Sequence, residues 1–160
     1  MERAFEAHTL MRKDGESHLR ERNALMPTFA PNYIKNYWLL IYDELADDYL
    51  DLLPKNEAID LFETLSGPIA TKMVGEMMGI PNASDEDLQH WSQALIDEAG
   101  NFGYSDEPFA RARQANVEIN ACILSSEDRL RAATDASALS VMINVDDPTE
   151  YSQIITNIKI

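Results

Sequence analysis

The chain has 160 residues, of which 45% are hydrophobic and 26% are charged, a composition typical of one soluble globular domain. Its formal net charge of -15 argues against a nucleic-acid partner, because binding to a phosphate backbone needs concentrated positive charge. The single cysteine, Cys122, cannot form an intrachain disulfide, and the longest apolar run, 37–42, is far too short to span a bilayer. We therefore expect a cytoplasmic protein without a membrane segment.

The negative charge is unevenly distributed along the chain. Residues 1–35 carry six basic and five acidic side chains, whereas the remaining residues carry seven basic and 23 acidic ones. The opening region is therefore the least repulsive surface for an acidic protein partner.

Proline and glycine divide the first half of the sequence into predicted helices. The first helix opens near Glu16 and ends at Pro27 and Pro31, because proline disfavours a helical conformation in the residue before it. A second helix is predicted from Pro31 to about Leu53, with an apolar stripe at helical spacing. That stripe consists of Ile34, Trp38, Ile41, Leu45, Tyr49 and Leu52.

A third helix is predicted from about Asp60 to Met78, and it should bend at Pro68 and stop at a glycine cap, Gly79. Further helices are predicted for residues 84–99, 107–131 and 136–143, and another begins near Tyr151. No stretch alternates as a strand does, so we predict a mainly α-helical single domain over residues 1–160. The last predicted helix has no stop signal before Ile160, and we therefore expect a sequence that has been cut.

His18 and Arg22 are the main chemical candidates, since residues four apart lie one above the other on a helix. Leu25, Met26 and Phe29 would continue the same row as a buried face. Imidazole and guanidinium donors in this arrangement suit carboxylates or a phosphate. The alternative is an ordinary surface pair, because charged side chains are mostly exposed.

Other residues give weaker indications of a site, and we predict no metal ligands in this chain. The acidic face around Asp43, Asp47 and Asp51 lacks the glycine turn and alternating ligands of a calcium loop. Cys122 has no partner motif and is interpreted as a buried structural thiol. Trp38 and Trp91 lie on apolar stripes and are predicted core residues.

The order of three segments resembles soluble, bacterial-type cytochromes P450. The segment KDGESHLRERNALMPTFAP is similar to the family's C helix, and DLFETLSGPIATKMVGEMMGIP to its E helix. The segment ASALSVMINVDDPTEYSQIITNIKI resembles the approach to the long I helix. The resemblance implies a partial cytochrome P450 fold, an internal piece containing helices C to G and the start of helix I.

The resemblance also implies a function for the parent protein, which would be a haem-thiolate monooxygenase that inserts one atom of O2 into an organic substrate. His18 and Arg22 match the family residues that hold the haem propionates, and residues 84–131 resemble the F and G helices, which cover the substrate pocket. A ferredoxin-type or reductase electron donor is implied, with Arg12, Lys13 and Arg20 facing it. Cys122 matches nothing of the family's cysteine ligand loop, so we expect this chain alone to be inactive. The competing hypothesis is a small acidic α-helical interaction module without enzymatic activity.

Overall fold

The fold is a series of helices in the computed structural model, which describes Leu10 and residues 13–144. Helix α1 is Gly15–Leu25 and continues into a 3-10 turn, Met26–Phe29. Helix α2 spans 31–51 and contains a π turn, Ile34–Trp38, before its longest part, Leu39–Asp51. Helix α3 spans 62–78 and opens with a π turn, Phe62–Ser66, ahead of Gly67–Met78. The remaining helices are α4 (Asp85–Ala99), α5 (Asp106–Ala132) and α6 (Ala138–Ile143).

The predicted mainly α-helical fold is confirmed, and the described residues contain no strand. The helix predicted from Tyr151 lies outside the described residues. No helix in the described part of the chain combines the length and apolar character needed to cross a membrane.

Capping hydrogen bonds mark both ends of α3 and the start of α4, and the predicted glycine cap at Gly79 is among them. The Asp60 side chain accepts from the backbone N–H groups of Phe62 and Glu63, at 2.9 and 3.2 Å, before α3 begins. Gly79 ends α3 in the left-handed conformation, with φ 94°, and its N–H bonds to carbonyls of the last turn. The Ser84 hydroxyl accepts from the backbone N–H of Asp87 at 3.1 Å and caps α4.

Pro68 does not end α3, because a wider turn precedes it. The backbone N–H of Gly67 bonds to the carbonyl of Phe62, five residues earlier, so the helix widens before the residue that has no N–H. A Cβ at Gly67 would lie 2.9 Å from that carbonyl oxygen. The π turn therefore depends on the glycine beside the proline, a feature that the helical period alone did not predict.

The hydrophobic core lies where the end of α3 meets α4, α5 and α6. Its fully buried side chains include Ile123, Leu130, Leu139 and Met142, from α5 and α6. Small residues line α5 where α4 crosses it, among them Ala112 and Ala115, so the two helices approach closely. Helix α1 contacts this core through Leu25, which packs against it.

Both tryptophans are buried as predicted, and each indole donates a hydrogen bond. Trp38 Nε1 donates to the Thr28 carbonyl oxygen at 2.8 Å and joins α2 to the 3-10 turn after α1. Trp91 Nε1 donates to Glu118 Oε2 at 2.8 Å and joins α4 to α5.

The predicted apolar stripe of α2 is mostly not buried among the described residues. Trp38 is its one buried member, Ile34 and Leu52 are exposed, and the other members are half-buried. The helical period was right, but burial also requires a packing partner along the whole stripe. In the part of the chain that the structure describes, α2 packs mainly on α3.

Candidate functional site

Helix α1 carries the two residues that the sequence singled out. His18 is half-buried and Arg22 is exposed, one helical turn further on. Within residues 13–144, neither side chain has a hydrogen-bond or ion-pair partner. The structure thus gives α1 an imidazole and a guanidinium whose donors are not engaged by those residues.

The buried face of α1 differs from the predicted one. Its buried side chain is Glu21, while Leu25 is half-buried against the core. Met26 and Phe29, predicted to continue the buried row, are exposed. The reason is that α1 ends at Leu25 and the 3-10 turn after it has three residues per turn instead of 3.6, so the helical row does not extend to Phe29. Arg22 lies about 100° around the helix from Glu21.

Glu21 is held by an ion pair that the sequence did not reveal. Lys13 Nζ lies 2.5 Å from Glu21 Oε1, and the two side chains are 15% and 1% exposed. The residues are eight apart and face each other across the start of α1, where Gly15 adopts a positive φ of 65°. Helical spacing rules cover pairs three or four apart, so this pair could only be found from the turn geometry.

The chemistry of the α1 site follows from these placements. Two unengaged donors stand on the helix, and two exposed apolar side chains, Met26 and Phe29, follow in the next turn. The two donors suit an anionic ligand, because a guanidinium binds carboxylates in a bidentate fork.

Metal ligation receives no support from the described side chains. Among these residues, no group of three His, Cys, Asp or Glu side chains is arranged to hold a metal ion. Cys122 is half-buried, and burial raises the pKa of its thiol, although a hydrogen bond with Asn82 opposes the shift. A raised pKa means that little of the thiol is present as the thiolate nucleophile at neutral pH.

The turn between α4 and α5 presents two aromatic side chains to solvent. Phe102 and Tyr104 are 87% and 69% exposed, in a turn held by the side chain of Asn101. That amide donates to the Ser105 carbonyl oxygen at 2.7 Å and accepts from the Ser105 backbone N–H at 3.0 Å. Below the turn, Trp91 and Glu118 join α4 and α5. The two helices therefore form one hairpin with an aromatic tip.

Sequence comparison relates the chain to cytochromes P450. It is 28% identical over 93 residues to "Polyketide biosynthesis cytochrome P450 PksS" of Bacillus subtilis (strain 168), a match that covers 58% of this chain and 23% of that protein. It is 26% identical over 140 residues to "Methyl-branched lipid omega-hydroxylase" of Mycobacterium tuberculosis (strain ATCC 25618 / H37Rv), covering 83% of this chain and 32% of that protein. No protein-family model matches the sequence.

Structural comparison gives the same fold. The solved chain described as "Ligand free structure of Cytochrome P450 TbtJ1" superimposes with a TM-score of 0.73 and 20% sequence identity, covering 92% of this chain and 39% of that one. The chain spans about a quarter to a third of the length of the curated relatives it matches. The resemblance to the cytochrome P450 family is therefore confirmed in sequence and in fold, over part of the family's length.

Proposed function

Because this chain matches part of a cytochrome P450 in sequence and fold, we propose that it belongs to a haem-dependent monooxygenase that acts on an organic substrate. The single observation that carries the proposal is the sequence match to curated relatives, which covers 83% of this chain in one of them and is accompanied by the same fold. When bound, haem supplies the oxygen activation for such a reaction. The described residues contribute binding and enclosure.

Within this function, we assign His18 and Arg22 to the haem propionates. Their donors are unengaged within residues 13–144, which supports the fit, because a carboxylate needs donors that no internal acceptor already holds. Arg22 would bind one propionate through its fork, and His18 would donate to a propionate from the turn before. Met26 and Phe29 would offer apolar contact beside this edge, since both are exposed in the turn that follows α1.

The hairpin of α4 and α5 is proposed to cover part of the substrate pocket, and the exposed aromatic side chains at its tip, Phe102 and Tyr104, support that role. Of the basic residues expected to face an electron donor, Arg20 is exposed, Lys13 is engaged by Glu21, and Arg12 lies outside the described residues. Arg20 is therefore the candidate for that contact among the residues that the structure describes.

We also propose that the 160-residue chain is inactive alone. Its one cysteine, Cys122, lies inside helix α5 and matches nothing of the cysteine ligand loop that the resemblance to the family implies. Product formation by the haem-supplemented chain would contradict this.

The assignment of His18 and Arg22 is tested by a ligand pair that differs only at the propionates. The 160-residue chain is titrated with dicyano-haem and with its dimethyl ester, and binding is followed by quenching of tryptophan fluorescence. His18→Gln with Arg22→Gln should raise the Kd for the free acid roughly tenfold, since about 1.4 kcal/mol corresponds to a factor of ten and two solvent-accessible donors to carboxylates contribute about that much.

The ester provides the decisive comparison, because it removes the anionic partner and leaves the apolar body unchanged. The double variant should therefore leave the Kd for the ester unchanged. Arg20→Gln is the matched control, an exposed arginine on the same helix with the same loss of charge. An equal effect of His18→Gln with Arg22→Gln on both ligands would rule out the propionate assignment.

A further inference from the structure

The turn that follows α1 is held by a side chain from another helix. Trp38 lies in α2 and is buried, and its indole N–H donates to the Thr28 carbonyl oxygen at 2.8 Å. Thr28 belongs to the 3-10 turn, Met26–Phe29, and precedes Trp38 by ten residues. The hydrogen bond therefore joins this turn to an element outside α1.

Helix α2 is itself tied to the body of the protein. It packs on α3, and the Tyr49 hydroxyl donates to the carboxylate of Asp85, the first residue of α4. Near the start of α2, the ring centroids of Tyr37 and Tyr33 lie 4.8 and 6.4 Å from that of Trp38. Such tilted ring contacts favour one orientation of the indole. Trp38 is therefore an anchored donor against which the turn can be set.

We propose that Trp38 is a positioning residue, which holds the turn after α1 so that Met26 and Phe29 present one apolar face to the porphyrin of haem. This inference rests on the proposed function, in which α1 and this turn meet haem. Side chains three residues apart coincide on a 3-10 helix, so Met26 and Phe29 lie on the same face. Both are exposed, which leaves that face open to a ligand.

The buried side of the turn explains why it needs such a hydrogen bond. Thr28 lies about 120° from the face of Met26 and Phe29 and is fully buried. Its hydroxyl oxygen has no hydrogen-bond partner among the residues that the structure describes, and a buried polar group without one is destabilising. Rotation of the turn would bring Thr28 to water and move the apolar face away. The bond from Trp38 to the Thr28 carbonyl opposes that rotation.

Trp38→Phe keeps an aromatic ring at the buried position and removes the N–H donor. Binding of dicyano-haem and of its dimethyl ester to the 160-residue chain is followed by haem absorbance, since the substitution itself changes the tryptophan fluorescence. The Kd should rise about fivefold for both ligands, because the apolar face contacts the porphyrin and not the propionates. This factor corresponds to about 1 kcal/mol, the usual net contribution of one hydrogen bond.

Trp91→Phe is the matched control, because it also removes an indole donor that bonds at 2.8 Å, in this case to Glu118. The two tryptophans are similarly buried, at 4% and 6% exposure. Both variants should lower the free energy of unfolding in urea, but Trp91→Phe should leave both Kd values unchanged. An equal rise in Kd from the two variants would overturn the proposal, because lost stability alone would then weaken binding.

A double-mutant cycle tests whether Trp38 acts through the turn. Met26→Ala with Phe29→Ala removes two exposed side chains and should raise the Kd for both ligands. In that background Trp38→Phe should cause little further loss, because the face that it positions is gone. The positioning role is wrong if Met26→Ala with Phe29→Ala leaves both Kd values unchanged, or if the effects of the substitutions add.

The outcomes distinguish this inference from the proposed function. His18→Gln with Arg22→Gln should affect the free acid alone, whereas Trp38→Phe should affect the free acid and the ester equally. If the first variant behaves as expected and Trp38→Phe changes neither Kd, only the positioning role fails. If the unaltered chain binds neither ligand, the propionate assignment fails and this inference fails with it.

Discussion

At the scale of single residues, Tyr104 has the one left-handed non-glycine backbone in the described part of the chain, with φ 54°. Such a conformation costs about 1–2 kcal/mol for a residue with a Cβ. The turn nevertheless forms because the Asn101 side chain bonds twice to the backbone of Ser105, and the Tyr104 N–H donates to the Asn101 carbonyl oxygen at 3.1 Å. Asn101 therefore offsets the strain at Tyr104.

Tyr104→Gly should stabilise the chain by about 0.5–1 kcal/mol in a urea unfolding experiment. Glycine removes the left-handed strain but adds freedom to the unfolded chain, so the gain is smaller than the strain itself. The exposed tyrosine ring loses little contact. Phe102→Gly is the control, because Phe102 is also exposed but has no positive φ, and this variant should be neutral or destabilising. A loss of stability from Tyr104→Gly would show that the side chain contributes more than the strain costs.

The candidate residues could be found in the sequence only where chemistry and helical spacing coincide. His18 and Arg22 are four apart, and a helix places them on adjacent turns. Lys13 and Glu21 were missed because their contact depends on a left-handed glycine between them, which spacing does not encode. The propionate role of His18 and Arg22 remains a prediction, which the ligand pair above tests.

At the scale of helices, the sequence predicted the helix ends from local signals, but it did not predict which helix faces are buried. Pro31, Ser84 and Gly79 marked helix ends correctly, since each acts on backbone groups within a few residues. The stripe of α2 and the row from Leu25 to Phe29 were predicted to be buried, but burial depends on neighbours distant in sequence. The π turns in α2 and α3 also lay beyond a period-based prediction.

Gly79→Ala should destabilise the chain by about 2–4 kcal/mol, measured as the free energy of unfolding in urea. Its φ of 94° is strained for alanine, and the new Cβ would lie 2.6 Å from Ser137 Oγ and 3.1 Å from Leu139 Cβ. Ser137 cannot readily move, because it is fully buried and its hydroxyl donates to Asp135 Oδ1 at 2.5 Å.

Gly15→Ala separates backbone strain from steric overlap. Gly15 also has a positive φ, 65°, but no neighbouring atom lies within 4 Å of the position that an alanine Cβ would occupy. Gly15→Ala should therefore lower the free energy of unfolding by only about 1 kcal/mol. If Gly79→Ala and Gly15→Ala lowered the free energy of unfolding equally, the contact between α3 and α6 would not be close packed.

At the scale of the whole molecule, the described residues form a well-packed core of α3 to α6, with α1 and α2 arranged beside it. Large apolar side chains from α2 to the start of α3 are exposed, among them Leu40, Leu52, Leu61 and Phe62. The chain covers 39% of the solved cytochrome P450 that it superimposes on, so much of that fold has no counterpart here. The single-domain assignment over residues 1–160 remains a prediction.

The most direct test of the central claim, that α1 and the turn after it face haem, is a residue-by-residue map of line broadening by ferric haem. An isotopically labelled sample of the 160-residue chain is titrated with high-spin ferric haem and monitored by nuclear magnetic resonance. We predict that backbone signals of residues 15–29 broaden first and that His18→Gln with Arg22→Gln greatly reduces this effect. Broadening centred on α2 or α4, with residues 15–29 unaffected, would contradict the account.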